Sequence, residues 1–288
     1  MKTEDIQIRD PFIVPQPHRS SYLMYGSTDP DIWNPPATGF DVWESRDLSS
    51  WEGPIPAFRP PHDFWSDRNF WAPEVHEYRG GWYMFASFKS PEQRRGTQIL
   101  IGDSAKGPFR LHSPGPVTPR DWECLDGTLH TDQTGTPWMV FCHEWVQIED
   151  GTICATRLSD DLTNSVGSPV TLFAASSAPW VEPFRDGKSY VTDGPFLFPI
   201  GDSLAMIWSS FRGGAYAIGV SYSDTDVLGP WHHDAQPLYQ NDGGHGMIFR
   251  DLSGHLNLTI HTPNRTPHER AIFLPLEEHE GRLSVRAE

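Results

Sequence analysis

The sequence predicts an all-β fold, a five-bladed β-propeller formed by residues 1–288 as a single domain. Two observations predict it: a unit of two apolar strands recurs five times, and a polar residue stands at the entry to each unit. The length is sufficient for one large core. With 27 Pro and 25 Gly there is little room for long helices, while 12 Trp, 16 Phe and 8 Tyr supply large buried areas.

Each recurring unit has a polar entry, an apolar strand, a turn, and an aromatic-rich strand that ends in small polar residues. The entry residues are Asp10, Glu74, Asp126, Asp193 and His245, at intervals of 64, 52, 67 and 52 residues. These intervals suit a four-stranded blade with its loops. A β-sandwich need not repeat a polar residue at the same point of each unit, whereas a propeller gathers five such residues around its axis.

Charge and composition limit the expected partners. The formal net charge of −16 argues against nucleic acid, because phosphate contacts need clustered Lys and Arg. No window approaches the roughly 18 apolar residues of a membrane span, and no signal peptide is recognisable, so we expect a cytoplasmic protein without a membrane partner. The three cysteines lack metal or disulfide spacing and are expected to be buried thiols. The oligomeric state is left open.

The ring of entry residues would bring several carboxylates together, which is electrostatically costly unless chemistry requires it. Hydrolysis of a glycosidic bond needs such a pair, one carboxyl to protonate the leaving oxygen and another to activate water or attack the sugar. Turn formation explains any single Asp, but it does not explain acids at equivalent points of successive units. The pattern therefore favours a glycosidase.

Aromatic residues near the hairpin ends are candidates for sugar stacking. We predict a substrate-binding set of Trp33, Trp71, Glu74, Trp145 and Phe196. Packing between blades is the alternative explanation for each tryptophan taken alone.

The entries, taken in order, resemble the motifs of glycoside hydrolase family 43: Arg9-Asp-Pro-Phe-Ile, Phe70-Trp-Ala-Pro-Glu, Leu125-Asp-Gly, Thr192-Asp-Gly-Pro and Gly244-His-Gly-Met-Ile-Phe. The likeness extends from Asp10 to about His261. It implies a five-bladed propeller with its active site at the axial face, an inverting mechanism, and glycans that contain arabinose, xylose or galactose. It also implies that Asp10 is the general base and that Asp126 orients the acid and tunes its pKa.

The fourth motif departs from the family at the proton donor. The family has Glu-Gly-Pro, whereas this chain has Asp193-Gly-Pro, whose carboxyl is retracted by roughly 1.5 Å. A misplacement of about 1 Å can cost on the order of 100-fold in rate. We expect Asp193 to be the acid. Glu144 is the competing donor, and sugar binding without efficient hydrolysis is the third explanation.

His245 matches an axial histidine of the family, and the resemblance implies a structural calcium or other ion in the central channel. Water would have to supply most of the calcium shell, and a hydrogen-bonded histidine is the alternative. No cofactor is expected for catalysis. The leading hypothesis is an exo-acting inverting α-L-arabinofuranosidase or β-xylosidase with an oligosaccharide substrate. The alternatives are a non-catalytic carbohydrate-binding propeller and a β-galactosidase or galactofuranosidase activity.

Overall fold

The computed structural model describes residues 1–184 and 187–286, which form five four-stranded antiparallel sheets in chain order. The first sheet is β1 (Arg9–Gln16), β2 (Ser21–Ser27), β3 (Phe40–Ser45) and β4 (Trp51–Phe58); the second is β5 (Arg68–Tyr78), β6 (Gly81–Lys89), β7 (Gly96–Gly102) and β8 (Phe109–Leu111). The third is β9 (Cys124–Thr131), β10 (Pro137–His143), β11 (Thr152–Leu158) and β12 (Ser165–Ala174). The fourth is β13 (Asp193–Ile200), β14 (Ser203–Arg212), β15 (Ala215–Ser223) and β16 (His232–His233); the fifth is β17 (Gly244–Arg250), β18 (Leu256–Thr262), β19 (Arg270–His279) and β20 (Arg282–Val285).

Helical structure in the described residues is short. One α-helix, α1, spans Trp145–Ile148, and the 3-10 turns are Thr3–Asp5, Pro17–Arg19 and Ala175–Ser177. No helix among these residues is long and apolar enough to cross a bilayer. The first strands of neighbouring sheets pack against one another, so β1, β5, β9, β13 and β17 surround the axis. The predicted all-β five-bladed propeller is confirmed.

Every inner strand carries a β-bulge at the same place. In each sheet the pairing of the first two strands skips two residues, and the first of the two has a positive φ. These five ring residues are Asp10 (φ 54°), Ala72 (47°), Asp126 (57°), Gly194 (52°) and His245 (42°). The second skipped residue is Pro or Gly in every case, residues that tolerate a bulge. A bulge at this point turns the ring residues toward the axis.

The ring differs at two positions from the one predicted from sequence. Glu74 lies two residues beyond Ala72, and Asp193 lies one residue before Gly194. The prediction from sequence matched the five repeats by their acidic or polar residues. The strand pairing matches them by their bulges, which fall at slightly different residues in the second and fourth blades. Asp193 therefore reaches the axial face from the last paired position before the bulge, opposite Ser209 on β14.

At four of the five interfaces between blades, a side chain of one blade accepts the backbone N–H of the ring residue in the next. Each acceptor lies on the second strand of its blade, opposite the residue just before that blade's own bulge. The bonds run from Ala72 to Ser27 Oγ (2.8 Å), from Asp126 to Ser87 Oγ (2.9 Å), from His245 to Ser209 Oγ (2.8 Å) and from Asp10 to His261 Nδ1 (3.2 Å). The blades thus hold one another's ring residues in place.

The fifth interface is different. Cys142 occupies the equivalent place on β10, opposite Leu125. The N–H of Gly194 donates instead to the carboxylate oxygen Oδ2 of Asp126, at 3.0 Å. Cys124, Cys142 and Cys154 are all free and buried, as the sequence predicts.

The last blade closes the propeller against the first through hydrogen bonds. Arg9 Nη1 lies 2.9 Å from Oε1 of the fully buried Glu269, whose carbonyl accepts the N–H of Ile8 at 3.2 Å. Arg270 Nε donates to the carbonyl of Glu4 at 2.7 Å. Since β1 pairs within the first sheet, these contacts join the two ends of the chain without an exchanged strand.

Candidate active site

A cavity of about 900 Å³ opens at the axial face, above the ring. It contains most of the site residues predicted from the sequence. The predicted residues that line it are Asp10, Trp33, Trp71, Asp126, Glu144, Trp145, Asp193 and His245. All five blades supply these side chains, so the site exists only where the blades meet.

Glu74 and Phe196 do not line this cavity, which argues against their predicted contact with sugar. Both lie beyond the bulges. Glu74 is 6 % exposed and its Oε2 lies 2.9 Å from Nε2 of His76. Phe196 packs edge-on against Phe12, with 6.0 Å between the ring centroids. They are displaced because each stands two residues past its ring residue, in the packed channel between the inner strands.

Asp10 is buried and held on both carboxylate oxygens. Ser27 Oγ donates to Oδ2 at 2.6 Å, and His245 Nδ1 lies 3.2 Å from Oδ1. Burial alone would raise the pKa of Asp10, but His245, then Arg9 and His261, more than offset it and hold the pKa below its usual value. Asp10 is therefore ionised at neutral pH and able to accept a proton.

Asp193 has the opposite environment. Burial, and then repulsion from Asp126, raise its pKa to about 7. Its Oδ2 accepts a hydrogen bond of 2.9 Å from the hydroxyl of Tyr216 on β15, while part of the side chain remains open to the cavity. Asp193 therefore holds a proton near neutral pH, which a general acid requires.

Asp126 stands between these two groups. Its Oδ2 accepts the Gly194 N–H and lies 3.6 Å from His245 Nδ1. Burial, followed by repulsion from Asp10, raises the pKa of Asp126 well above its usual value. Because Asp126 and Asp193 repel each other within one cavity, they titrate as a pair, and the Gly194 N–H favours the ionised form of Asp126.

Glu144 follows β10 directly and forms a buried ion pair with Arg95. Arg95 also donates to Asn69 Oδ1 at 3.2 Å and lies 4.3 Å from the ring centre of Trp71. Burial raises the pKa of Glu144, while Arg95 opposes this shift. A carboxylate held by a guanidinium is an acceptor, so this contact favours Asp193 over Glu144 as the proton donor.

The family model of glycosyl hydrolases family 43 matches residues 5–276. The chain belongs to this family. It is therefore a glycoside hydrolase, and its substrate is a carbohydrate. The structural neighbours of this chain are named for several different activities, on arabinose-, xylose- and galactose-containing glycans.

Three relatives illustrate that range. An endo-arabinase from Bacteroides thetaiotaomicron VPI-5482 is 40% identical, with a TM-score of 0.91 over 98% of both chains. The extracellular endo-α-(1→5)-L-arabinanase 1 of Bacillus subtilis (strain 168) is 23% identical over 146 residues, which are 47% of this chain and 44% of that protein. An α-L-arabinofuranosidase from Lactobacillus brevis is 18% identical, with a TM-score of 0.78 over 99% of this chain and 97% of that chain. At this low identity the similarity supports a shared fold and not a shared activity.

The geometry around His245 does not suit a calcium site formed by protein ligands. Its Nδ1 faces Asp10 and Asp126, and its other edge lies against Gly194, where an added Cβ would stand 2.9 Å from Nε2. Residues 1–184 and 187–286 contain no group of three or more His, Cys, Asp or Glu side chains placed to hold a metal. The ion expected from the family resemblance stays a prediction.

Two tryptophans form one wall of the family 43 cavity. Trp33 and Trp71 pack edge to face at 5.2 Å, and Trp33 remains 51 % exposed at the rim. Trp33 Nε1 donates to Thr266 Oγ1 at 3.1 Å, which ties the rim of the first blade to that of the fifth. Trp145 also lines the cavity, and its ring centroid lies 5.4 Å from that of Phe184. The positions of all three tryptophans suit the predicted stacking on sugar rings.

Several lining residues were missed by sequence reasoning. Tyr216 and Arg95 come from third strands or from the loops before them, where no repeat marks them. Arg9 adjoins Asp10 and could have been found as the residue before the ring. Asn264, Arg265 and Thr266 lie on the loop after β18, for which sequence offers no signal.

Proposed function

We propose that this protein is an inverting glycosidase that hydrolyses arabinofuranosyl linkages, with Asp10 as general base and Asp193 as general acid. One observation carries the proposal: one cavity holds two aspartates in opposite environments. Asp10 lies against Ser27 and His245, and its pKa is lowered, whereas Asp193 is partly open to the cavity beside Tyr216, and its pKa is raised to about 7. Pairs of titratable groups whose environments separate their pKa values are typical of acid and base assignments.

The reaction is a single displacement. Asp10 accepts a proton from a water molecule, whose oxygen attacks the anomeric carbon from the face opposite the leaving group. Asp193 gives its proton to the glycosidic oxygen as the carbon–oxygen bond breaks. Asp126 and Asp193 share one proton, and the Gly194 N–H on Oδ2 of Asp126 favours the position of that proton on Asp193 until transfer. Inversion leaves Asp193 ionised and Asp10 protonated, and exchange with water restores both.

Arabinofuranosyl linkages are favoured over xylosyl and galactosyl linkages by the relatives. The 40% identical neighbour, which matches over nearly the whole chain, is named an endo-arabinase. The curated relative is named an endo-α-(1→5)-L-arabinanase. A β-xylosidase activity, included in the sequence-based hypothesis, becomes the second choice.

The mode of attack has two candidates. The sequence-based hypothesis is exo action, and the names of the relatives favour endo action. An exo enzyme releases one product size from chain ends and hardly lowers the viscosity of a polymer. An endo enzyme lowers viscosity early and releases a mixture of sizes. Product analysis on linear arabinan and on short arabino-oligosaccharides separates the two.

The proposed function is tested by comparing Asp10→Asn and Asp193→Asn with Glu144→Gln on arabino-oligosaccharides, with xylo- and galacto-oligosaccharides beside them. We expect both Asp variants to lose 100-fold or more in kcat, in the range of about 100- to 10,000-fold for lost acid or base catalysis. Asp193→Asn should lose far less on aryl glycosides whose leaving group needs no proton. NMR of the first product should show the inverted anomer. Full activity of either Asp variant, or retention of configuration, would overturn the proposal.

A further inference from the structure

The five interfaces between blades follow one pattern with one exception. At four of them a serine or histidine on the second strand accepts the ring N–H of the next blade, at 2.8 to 3.2 Å. At the remaining interface the equivalent residue is Cys142, and the Gly194 N–H binds Asp126 Oδ2. The exception therefore falls on the one ring N–H that contacts a carboxylate of the active site.

We infer that Cys142 is a positioning residue: because its thiol does not compete for the Gly194 N–H, this N–H is available to hold the carboxylate of Asp126. A hydroxyl at this place would restore the pattern of the other interfaces and withdraw the N–H from the site. The inference rests on the proposed roles of Asp126 and Asp193.

The chemistry of the thiol supports this. Sulfur is a weak hydrogen-bond acceptor, whereas a hydroxyl oxygen accepts readily. Burial, then Asp126 and Asp193, raise the pKa of the Cys142 thiol well above its usual value, so it stays neutral. The hydroxyl of Thr192, which is buried and has no hydrogen-bond partner among the described residues, lies beside the thiol and would accept the proton of a serine placed there. Such a serine would donate its proton to Thr192 and could accept the Gly194 N–H, as the equivalent serines accept the ring N–H at three other interfaces.

The Gly194 N–H also influences which carboxyl holds the proton. Asp126 faces Asp10, Glu144, Glu74 and His245, and its only backbone donor among the described residues is the Gly194 N–H. A donor to Oδ2 favours ionised Asp126. Asp193, which faces Asp126, His245, Tyr216 and Glu144, then keeps the shared proton. Without that donor, the proton moves toward Asp126 and away from the leaving oxygen.

The experiment compares Cys142→Ser with Cys142→Ala in the full chain, on an arabino-oligosaccharide and on an aryl arabinofuranoside with an activated leaving group. Serine adds a competing acceptor, and alanine does not. We expect the kcat of the serine variant to be at least about tenfold below that of the alanine variant, as for loss of one charge-assisted hydrogen bond. The difference should be larger for the oligosaccharide, whose departure needs the acid, and KM should change little.

The pH profile gives a readout that a packing defect would not produce. If the pair holds its last proton on Asp126, its apparent pKa rises while the active protonation state becomes scarcer. Cys142→Ser should therefore show a lower plateau of kcat with an alkaline limb moved to higher pH, whereas a packing defect would lower the plateau and leave the limb in place. Cys142→Ala should keep the wild-type limb.

Matched variants keep the test decisive. Cys154 lies on β11, the strand next to that of Cys142, and contacts Thr152 on β11 and Thr171 on β12. Cys154→Ser places a hydroxyl there and should leave kcat unchanged. Cys142→Thr adds the same acceptor in a β-branched side chain suited to a strand, and replaces the serine variant if that one does not fold. Equal kcat values for the alanine and hydroxyl variants overturn this inference alone, whereas full activity of Asp193→Asn overturns the proposed function.

Discussion

The hydroxyl of Tyr216 donates a hydrogen bond of 2.9 Å to Oδ2 of Asp193. The carbonyl oxygen of a protonated carboxyl is the stronger acceptor, so this bond favours the acidic proton on Oδ1. Tyr216 is itself held by its ring, which stacks on His261 at 5.7 Å. The aspartate that replaces the longer glutamate of the family is thus oriented by a tyrosine from another strand.

Removing the tyrosine hydroxyl should change the pH dependence of the reaction. The bond from Tyr216 lowers the pKa of Asp193, so Tyr216→Phe should raise it above its value of about 7. Since the acid works only when protonated, the alkaline limb of kcat/KM should move to higher pH, with kcat falling about tenfold through poorer orientation. An alkaline limb that stays in place would show that Tyr216 does not act on the acid.

Asp193→Asn should stabilise the protein at high pH. The folded-state pKa of Asp193 is raised to about 7, above the unfolded value of roughly 3.9, so its contribution to stability is lost as pH rises through 7. The neutral amide avoids that loss. We expect the Tm of Asp193→Asn relative to wild type to be higher at pH 8 than at pH 5, by thermal denaturation. The same difference at both pH values would contradict the raised pKa.

Trp33 should bind substrate without supporting the fold. It is 51 % exposed at the rim, so Trp33→Ala should raise KM for longer oligosaccharides while Tm changes little. Trp180, which is fully buried, is the matched control: Trp180→Ala should destabilise by about 3–5 kcal/mol. Denaturant unfolding and steady-state kinetics on both variants check this. An unchanged KM for Trp33→Ala would remove Trp33 from the binding surface.

Glu74 should affect stability and not substrate binding, contrary to the sequence-based prediction. It pairs with His76 in the channel below the ring. Glu74→Gln should lower the free energy of unfolding, because a buried hydrogen-bonded partner is weakened, while KM stays at the wild-type value. A large rise in KM would show that Glu74 contributes to substrate binding after all.

The repeat revealed much of this architecture because hairpins, turns and aromatic strands are local patterns that recur with each blade. It located Asp10, Asp126 and His245 at ring positions, since those polar residues coincide with the bulges. It misplaced Glu74 because an acidic residue two positions along resembles one at the bulge. Tyr216 lies on a third strand and Arg95 on the loop before one, and both reach the cavity through three-dimensional packing. These segments carry no acidic residue that recurs with the repeat, so no spacing in the sequence predicts them.

The bonds between blades have a consequence for how activity is gained and lost. Asp10 is anchored by His261 from the last blade, and Asp126 by Ser87 from the second and Gly194 from the fourth. Ser27 of its own blade also holds Asp10, but each of these two carboxylates needs at least one group from another blade. A partly folded chain, even one with most of its blades formed, would therefore lack catalytic activity. Turnover would then report on closure of the whole circle, appearing with the last blade to dock and vanishing with the first to detach.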